Sequence, residues 1–284
     1  YRDAQAQKEV ANTAPILQQA KKAYEQKQIA KAWKLLNQLQ PTDSGYQEAV
    51  DYKEMILNEY ALNLIILPSE SNFHSNEYKL RDGITAEVVK LNSPFIQLVD
   101  RENMSSIIEE QKLGLSGLLD EPTAAEVGRL VGAKAVLFTK VVNYSYNRGE
   151  LQAFSKIAYR GIKSNGITQY QPVNYKEYRQ TNALNTTLQV QLISVETGKV
   201  LYADAIYHTE KATINYAEYE GNYLVLYPAK GELIYKSGVE RDKFLRLFDA
   251  NKQAAGIAKL DIMTQKEIAQ KVAAQLEKHF NSTL

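Results

Sequence analysis

The residues that could do chemistry are few and scattered. Three histidines occur, His74, His208 and His279, and no HExxH or His/Asp cluster accompanies them. A metal site needs several such ligands converging on one point, so none is expected. His279 lies near the end of a helical stretch, where an imidazolium would complement the helix dipole. The chain has no cysteine, which removes thiol catalysis, zinc thiolates, iron–sulfur clusters and disulfides together. Neither a GxSxG nucleophile elbow nor a GxxxxGKS/T phosphate loop is present, and Gly114 and Gly117 are wrongly spaced for a dinucleotide fingerprint. Asp100, Arg101 and Glu102 cluster at a strand end, where α/β folds hold ligands. Asp100 also precedes a helix start and is better placed as its N-cap. Glu109 and Glu110 are neighbours on a helix, so they point apart and form a solvated face. No catalytic residue and no cofactor are expected, and the chain reads as a non-enzyme.

Tyrosine is the residue in surplus. Thirteen of the 19 tyrosines fall between positions 144 and 235. A flat apolar ring with a polar tip suits a protein- or sugar-binding surface. It also suits ordinary packing on a pleated sheet. Trp33, Tyr159, Tyr175, Tyr178, Tyr219 and Tyr223 are the candidate partner-binding residues. Tyrosine interleaved with Lys and Arg could serve single-stranded nucleic acid. Lys plus Arg is 34 against 33 for Asp plus Glu, however, and a net charge of +1 lacks the basic excess of such a binder.

The elements that must position these residues follow from pattern. The chain has 284 residues, 44% hydrophobic and 24% charged, the profile of a soluble globular protein of one large or two small domains. No apolar run reaches the ~18 residues of a membrane-spanning helix. The chain begins at Tyr1 rather than Met, so a processed or a trimmed form is expected, and a signal peptide or lipid-bearing cysteine could have stood upstream.

Residues 1–61 read as a helical arm. Ala20, Ala23, Tyr24, Ala32, Trp33, Leu35, Leu36 and Leu39 recur at spacings of three and four, which gives two short helices broken near Gln28 and closed before Pro41. A third runs from about Tyr46 to Tyr60. The pair resembles a single tetratricopeptide-type hairpin, serving as a packing arm or as a short groove for a partner peptide.

From residue 62 the pattern becomes α/β. "LNLIILP" is a buried strand, "EYKLRDGITAEVVKLN" a helix with Leu80, Ile84, Val88 and Leu91 on one face, and "FIQLVD" a second strand. A helix follows to Gly114. Thr123 and Glu126 form a capping box for the next, which Gly132 ends. "AKAVLFTKVVNYSY" is a long strand. Residues 187–207 form a hairpin around Glu196, Thr197, Gly198 and Lys199. The stretch between the strands at 134–146 and 187–195 is polar, and residues 212–240 read as irregular. "RDKFLRLFDANKQA" looks helical, and a last helix opens at a capping box of Thr264 and Glu267. The expected fold is α/β of the α+β kind, a mixed β-sheet flanked by helices after the small helical arm. The domain over 62–284 carries β-rich insertions at about 144–186 and 207–240.

Residues 95–138, "FIQLVDRENMSSIIEEQKLGLSGLLDEPTAAEVGRLVGAKAVLF", resemble the CsgG family, the curli production assembly/transport component and its soluble relatives. The matching features are the strand ending in Asp100 and Arg101, the helix ending at Glu110, Gln111 and Lys112, the Gly117 loop, and Ala125 to Ala133 leading into a strand. "LQVQLISVETGKVLYADAI" fits the family's hairpin. The resemblance implies a periplasmic protein attached to the outer membrane, through an upstream lipid anchor. It implies a homo- or hetero-oligomer whose partners are protein subunits of an envelope assembly.

In the channel branch of that family each subunit gives two hairpins to a shared barrel. A lipid-facing strand needs ~9–11 residues with one apolar face. Residues 151–160 supply one respectable strand. The return "TQYQPVNYKEYRQTN" puts Glu177 and Arg179 on one face and Lys176 on the other, with Pro172 removing a ladder donor. Segment 207–220 carries Glu210, Glu218 and Glu220 on one parity and Lys211 on the other. The favoured reading is a soluble assembly component. The alternatives are a curli-type secretion channel and a ligand-binding or enzymatic domain using a cleft beyond Asp100 and Asn143.

Overall fold

A computed structural model of the chain describes residues 2–43, 45–67, 70–71, 77–99 and 132–283. The helices are α1 (Arg2–Glu25), α2 (Ile29–Leu36), α3 (Tyr46–Tyr60), α4 (Glu77–Lys90), α5 (Val239–Arg246) and α6 (Ile257–Thr283). The strands are β1 (Leu62–Ile66), β2 (Glu70–Ser71), β3 (Ile96–Leu98), β4 (Ala135–Arg148), β5 (Gln152–Ser164), β6 (Ile167–Ser194), β7 (Val200–Glu218), β8 (Leu226–Tyr227), β9 (Ala229–Lys230) and β10 (Leu233–Ile234). The fold is the expected mixed sheet with flanking and N-terminal helices. The chain divides into two compact units, one of Tyr1–Val142, Leu188–Ile206 and Lys266–Leu284, the other of Asn143–Thr187 and Tyr207–Gln265.

In the first unit, α1 is closed off by Lys27, two residues beyond its end, whose φ of 59° is left-handed. The Gln28 and Lys27 amides bond back to the Ala23 and Tyr24 carbonyls at 2.9 Å each, the Schellman arrangement that turns the chain into α2. Ala20, Ala23, Ala32 and Ala49 are all buried. Their small side chains let the three helices approach around Ile29, Leu36 and Ile56. Where sequence spacing suggests two short helices before residue 40, the first is a single 24-residue helix that includes Pro15.

The sheet of this unit has a parallel centre, with Leu62 opposite Ile96 and Leu64 opposite Ala135. Successive side chains of a strand point to opposite faces. Leu64 and Ile66 accordingly join one core with Leu80, Ile84 and Val88 of α4 and Ile268, Val272 and Leu276 of α6, while Ile65 and Leu67 join a second with Val136, Phe138 and Ile193. Such two-sided burial is why this strand reads as an unbroken apolar run. The β6–β7 turn places Gly198 at φ 67°, and the Ser194 amide donates to the Lys199 carbonyl at 2.9 Å.

The second unit defines the strands of the 144–186 stretch and corrects two expectations, the irregular segment from 212 and the start of the last helix. The polar stretch after residue 150 is a regular antiparallel ribbon, paired from Gln152–Arg179 to Ser164–Ile167. Its turn is Asn165 and Gly166, at φ 51° and 80°, the pair of left-handed residues that a tight two-residue hairpin demands. The segment from 212 begins as strand, because β7 runs on to Glu218. The last helix starts at Ile257 and not at Thr264. Thr264 is 1% exposed in the helix interior, and the apolar face already begins at the buried Leu260, so no cap is possible there. Asp100, the helices expected over 101–131, the Thr123–Glu126 capping box and His74 lie outside the described residues.

Candidate functional site

The cleft of interest is built within the second unit. Thr181 and Thr213 share a hydrogen bond of 2.9 Å, Thr209 donates to Asn185 at 2.8 Å, and the rings of Tyr178 and Tyr216 stack at 4.8 Å and 15°. These contacts seat β7 against β6. Beyond Tyr216 the Ala217 amide bonds to the Leu247 carbonyl at 2.8 Å, so the chain turns to the end of α5. The space opened there is a cleft of about 620 Å³, within the size range of small-ligand sites.

Four of the six candidate residues line it: Tyr175, Tyr178, Tyr219 and Tyr223. Tyr175 is buried in the apolar cluster of this unit, edge-on to Phe244 at 5.4 Å. Tyr223 lies flat on Phe248 at 5.0 Å and 10°, and its hydroxyl donates to Asp249 at 2.6 Å. Tyr219 crosses Gly221, where an added Cβ would stand 2.8 Å from the ring. The cleft therefore owes its shape to rings already held by other rings. Tyr159 is not among its lining residues; it lies on β5 opposite Pro172 and beside Tyr227 of β8. Trp33 belongs to the first unit, half-buried and edge-on to Phe95 at 5.1 Å.

Burial and local ion pairs set the electrostatics of this region. Burial, reinforced by the charge of Glu177, pushes the Tyr175 phenol up to about 12. Glu177 is itself 5% exposed and takes a 2.8 Å ion pair from Lys156. Lys252 bonds Glu218 at 2.7 Å, which holds that carboxyl below the usual range. Lys176 and Glu220 are exposed on the lining. The lining charges balance, two lysines against two glutamates. Sequence reasoning missed Phe248, Lys252 and Glu218. The four-residue spacing of Phe244 and Phe248 on a helical stretch was the available signal.

Elsewhere in this unit, Tyr227 covers Gly161, faces Arg241 at 4.5 Å and meets Tyr170 edge-on at 5.1 Å. Among the described residues no three of His, Asp and Glu gather as a metal site. His208 pairs with Glu210 at 3.2 Å. His279 packs on Tyr202 at 5.0 Å, and burial lowers its pKa, which opposes the dipole role its position suggests.

The β5–β6 ribbon bears on the barrel question. Register puts Ala153, Ser155, Ile157 and Lys163 on one face with Lys176 and Tyr178, and Phe154, Lys156 and Arg160 on the other with Glu177 and Arg179. Charges stand on both faces, and each Arg or Lys at a bilayer midplane costs about 2–4 kcal/mol. Leu151, Phe154, Ile157 and Ile167 are nonetheless exposed, Ile157 by 62% and Ile167 by 68%. No helix of the described residues is long and apolar enough to cross a membrane.

The family described as curli production assembly/transport component CsgG matches residues 87–219, a little under half of the chain. That match supports the CsgG-like reading and an envelope-associated, assembly-related protein. No curated protein matches. Among solved structures, the LpoB C-terminal domain from Salmonella enterica is 18% identical, covering 52% of this chain and 83% of its own, with a TM-score of 0.29. Lipoprotein GNA1162 from Neisseria meningitidis is 12% identical over 52% of this chain and 81% of its own, with a TM-score of 0.30. The PelC dodecamer from Paraburkholderia phytofirmans is 9% identical over 53% and 72%, with a TM-score of 0.27. These are likenesses of part of the chain and lend it no function.

Proposed function

We propose that this chain is a non-enzymatic component of a cell-envelope assembly, working in the periplasm at the outer membrane and held there by a lipid anchor upstream. It binds protein subunits, its own copies or others, and its N-terminal tetratricopeptide-like hairpin serves as a packing arm. The observation that carries this reading is the β5–β6 ribbon. It presents Leu151, Phe154, Ile157 and Ile167 to solvent among charges on both faces. Phe154 and Ile157 project from opposite faces of the ribbon, so a neighbouring subunit can pack on either face with an apolar side chain at the centre and polar ones at the rim. The match to an assembly/transport family over residues 87–219 supports the same direction.

The test is a photo-crosslinking amino acid placed at Ile157 and, as a control, at Met263, in the full chain in its native envelope. The reading expects discrete crosslinked species from position 157 and none from 263. Uniform labelling from both sites, or an enzymatic turnover that co-purifies with the protein, would refute it. Light scattering with and without detergent separates the channel alternative: a ring stable only in detergent would replace this reading.

A further inference from the structure

We infer that the tyrosine cleft of the second unit, which shares Ser155, Asn174, Lys176 and Tyr178 with the β5–β6 ribbon, is a glycan-binding site. The argument starts from what the lining can and cannot satisfy. Two of its rings are fixed before any ligand arrives, because Tyr178 is stacked on Tyr216 and Tyr223 on Phe248, each by one face. Prefixed flat rings lose little entropy on binding and select a ligand with a flat apolar face. A lipid tail or a wholly apolar group would strand the polar groups that share the cleft, since unpaired polar groups are costly to bury. Asn174 and Ser155 are exposed on the lining and offer neutral donors and acceptors.

Charge narrows the class further. A strongly acidic or basic partner would meet a lining of opposite sign. Here Lys252 and Glu218 pair at 2.7 Å, and with Lys176 and Glu220 the lining carries no net charge. The ligand that fits fixed aromatic faces, neutral hydrogen-bonding groups and balanced charge is a neutral sugar, apolar on its C–H faces and hydroxylated around its rim. A volume of about 620 Å³ leaves room for an oligosaccharide segment. An envelope-associated protein also stands where such glycans are abundant.

Isothermal titration of the full chain with chitotetraose, cellotetraose and maltotetraose tests this, with a proline-rich decapeptide as the competing class. At least one sugar is expected to bind with a millimolar or tighter constant. Tyr178→Ala should weaken that binding about tenfold, one ring contact being about 1.4 kcal/mol or less. Asn174→Ala, at an exposed position that leaves the fold alone, should weaken it about threefold, one modest hydrogen bond. Ile167→Ser, outside the cleft, should bind as the parent does. No heat from any sugar at about 10 mM overturns the proposal. So does sugar binding that neither cleft variant alters, or binding of the peptide alone. If Tyr178→Ala fails to fold, the Asn174→Ala titration decides.

Discussion

Gly161→Ala probes how β8 is held against β5. Gly161 is not one of the left-handed glycines, so its use here lies in the missing side chain. A Cβ built on it falls 2.8 Å from Tyr227 Cε2 and 3.3 Å from Thr168 Cγ2. Tyr227 has little freedom to retreat, being fixed by Arg241 on its face and Tyr170 at its edge. The edge-to-face pair is worth about 0.5–1.5 kcal/mol and the cation–ring contact about 0.5–1 kcal/mol. Alanine in place of a strand glycine returns about 0.5–1 kcal/mol. The expected net loss is about 1 kcal/mol. In a Tyr227→Ala background there is no ring to displace, and the same substitution should stabilise by about 0.5–1 kcal/mol. The change of sign is the signature. Urea unfolding of the four proteins, followed by the near-ultraviolet circular dichroism of tyrosine, reads it, and hydrogen exchange at β8 localises it. Trp33 lies in the first unit and would not report. Equal destabilisation in both backgrounds would refute the assignment of the close approach to Tyr227.

Other perturbations have a definite sign. Gly83→Ala should stabilise α4 by about 1 kcal/mol, because its Cβ would meet Ala269 Cβ at an ordinary 3.5 Å; a lowered melting temperature would contradict that packing. Thr264→Val should be neutral or stabilising by up to roughly 1 kcal/mol, since the buried hydroxyl has no hydrogen-bond partner among the described residues. Burial holds His279 below its ordinary 6.5. Above that pH both folded and unfolded chains carry a neutral ring. As pH falls below it the unfolded chain takes the proton first, so stability drops until the lower folded pKa is passed. His279→Gln should flatten that slope in urea midpoints measured between about pH 7 and 5. Lys252→Met should let the Glu218 carboxyl rise toward its usual range, visible in carboxyl-carbon NMR titration, with no change in melting temperature.

What sequence reasoning found, it found where one element decides its own shape. The apolar run at 62–67, the face of Leu80, Ile84 and Val88, and the Thr197–Gly198 turn each carry a local period or a local backbone demand. Asn165–Gly166 carried an equally local signal, hidden by the polar residues around it. The start of α6 was misplaced because a capping-box pattern at Thr264 lies inside a helix whose partners bury it, and tertiary packing overrides such a signal. The cleft was half legible. Tyr175, Tyr178, Tyr219 and Tyr223 are legible by residue type, but Phe248 and Lys252 reach it from a distant stretch of chain, as Ala217 turns to meet Leu247.

The chain passes between its two units four times, at 142/143, 187/188, 206/207 and 265/266. The second unit is thus two inserts whose ends are both anchored in the first, and no single cut releases it. The two inserts also share one strand pairing and one apolar cluster, so they form a single core and change must come to both together. New recognition surfaces can then be exchanged while the scaffold that presents them keeps its own core.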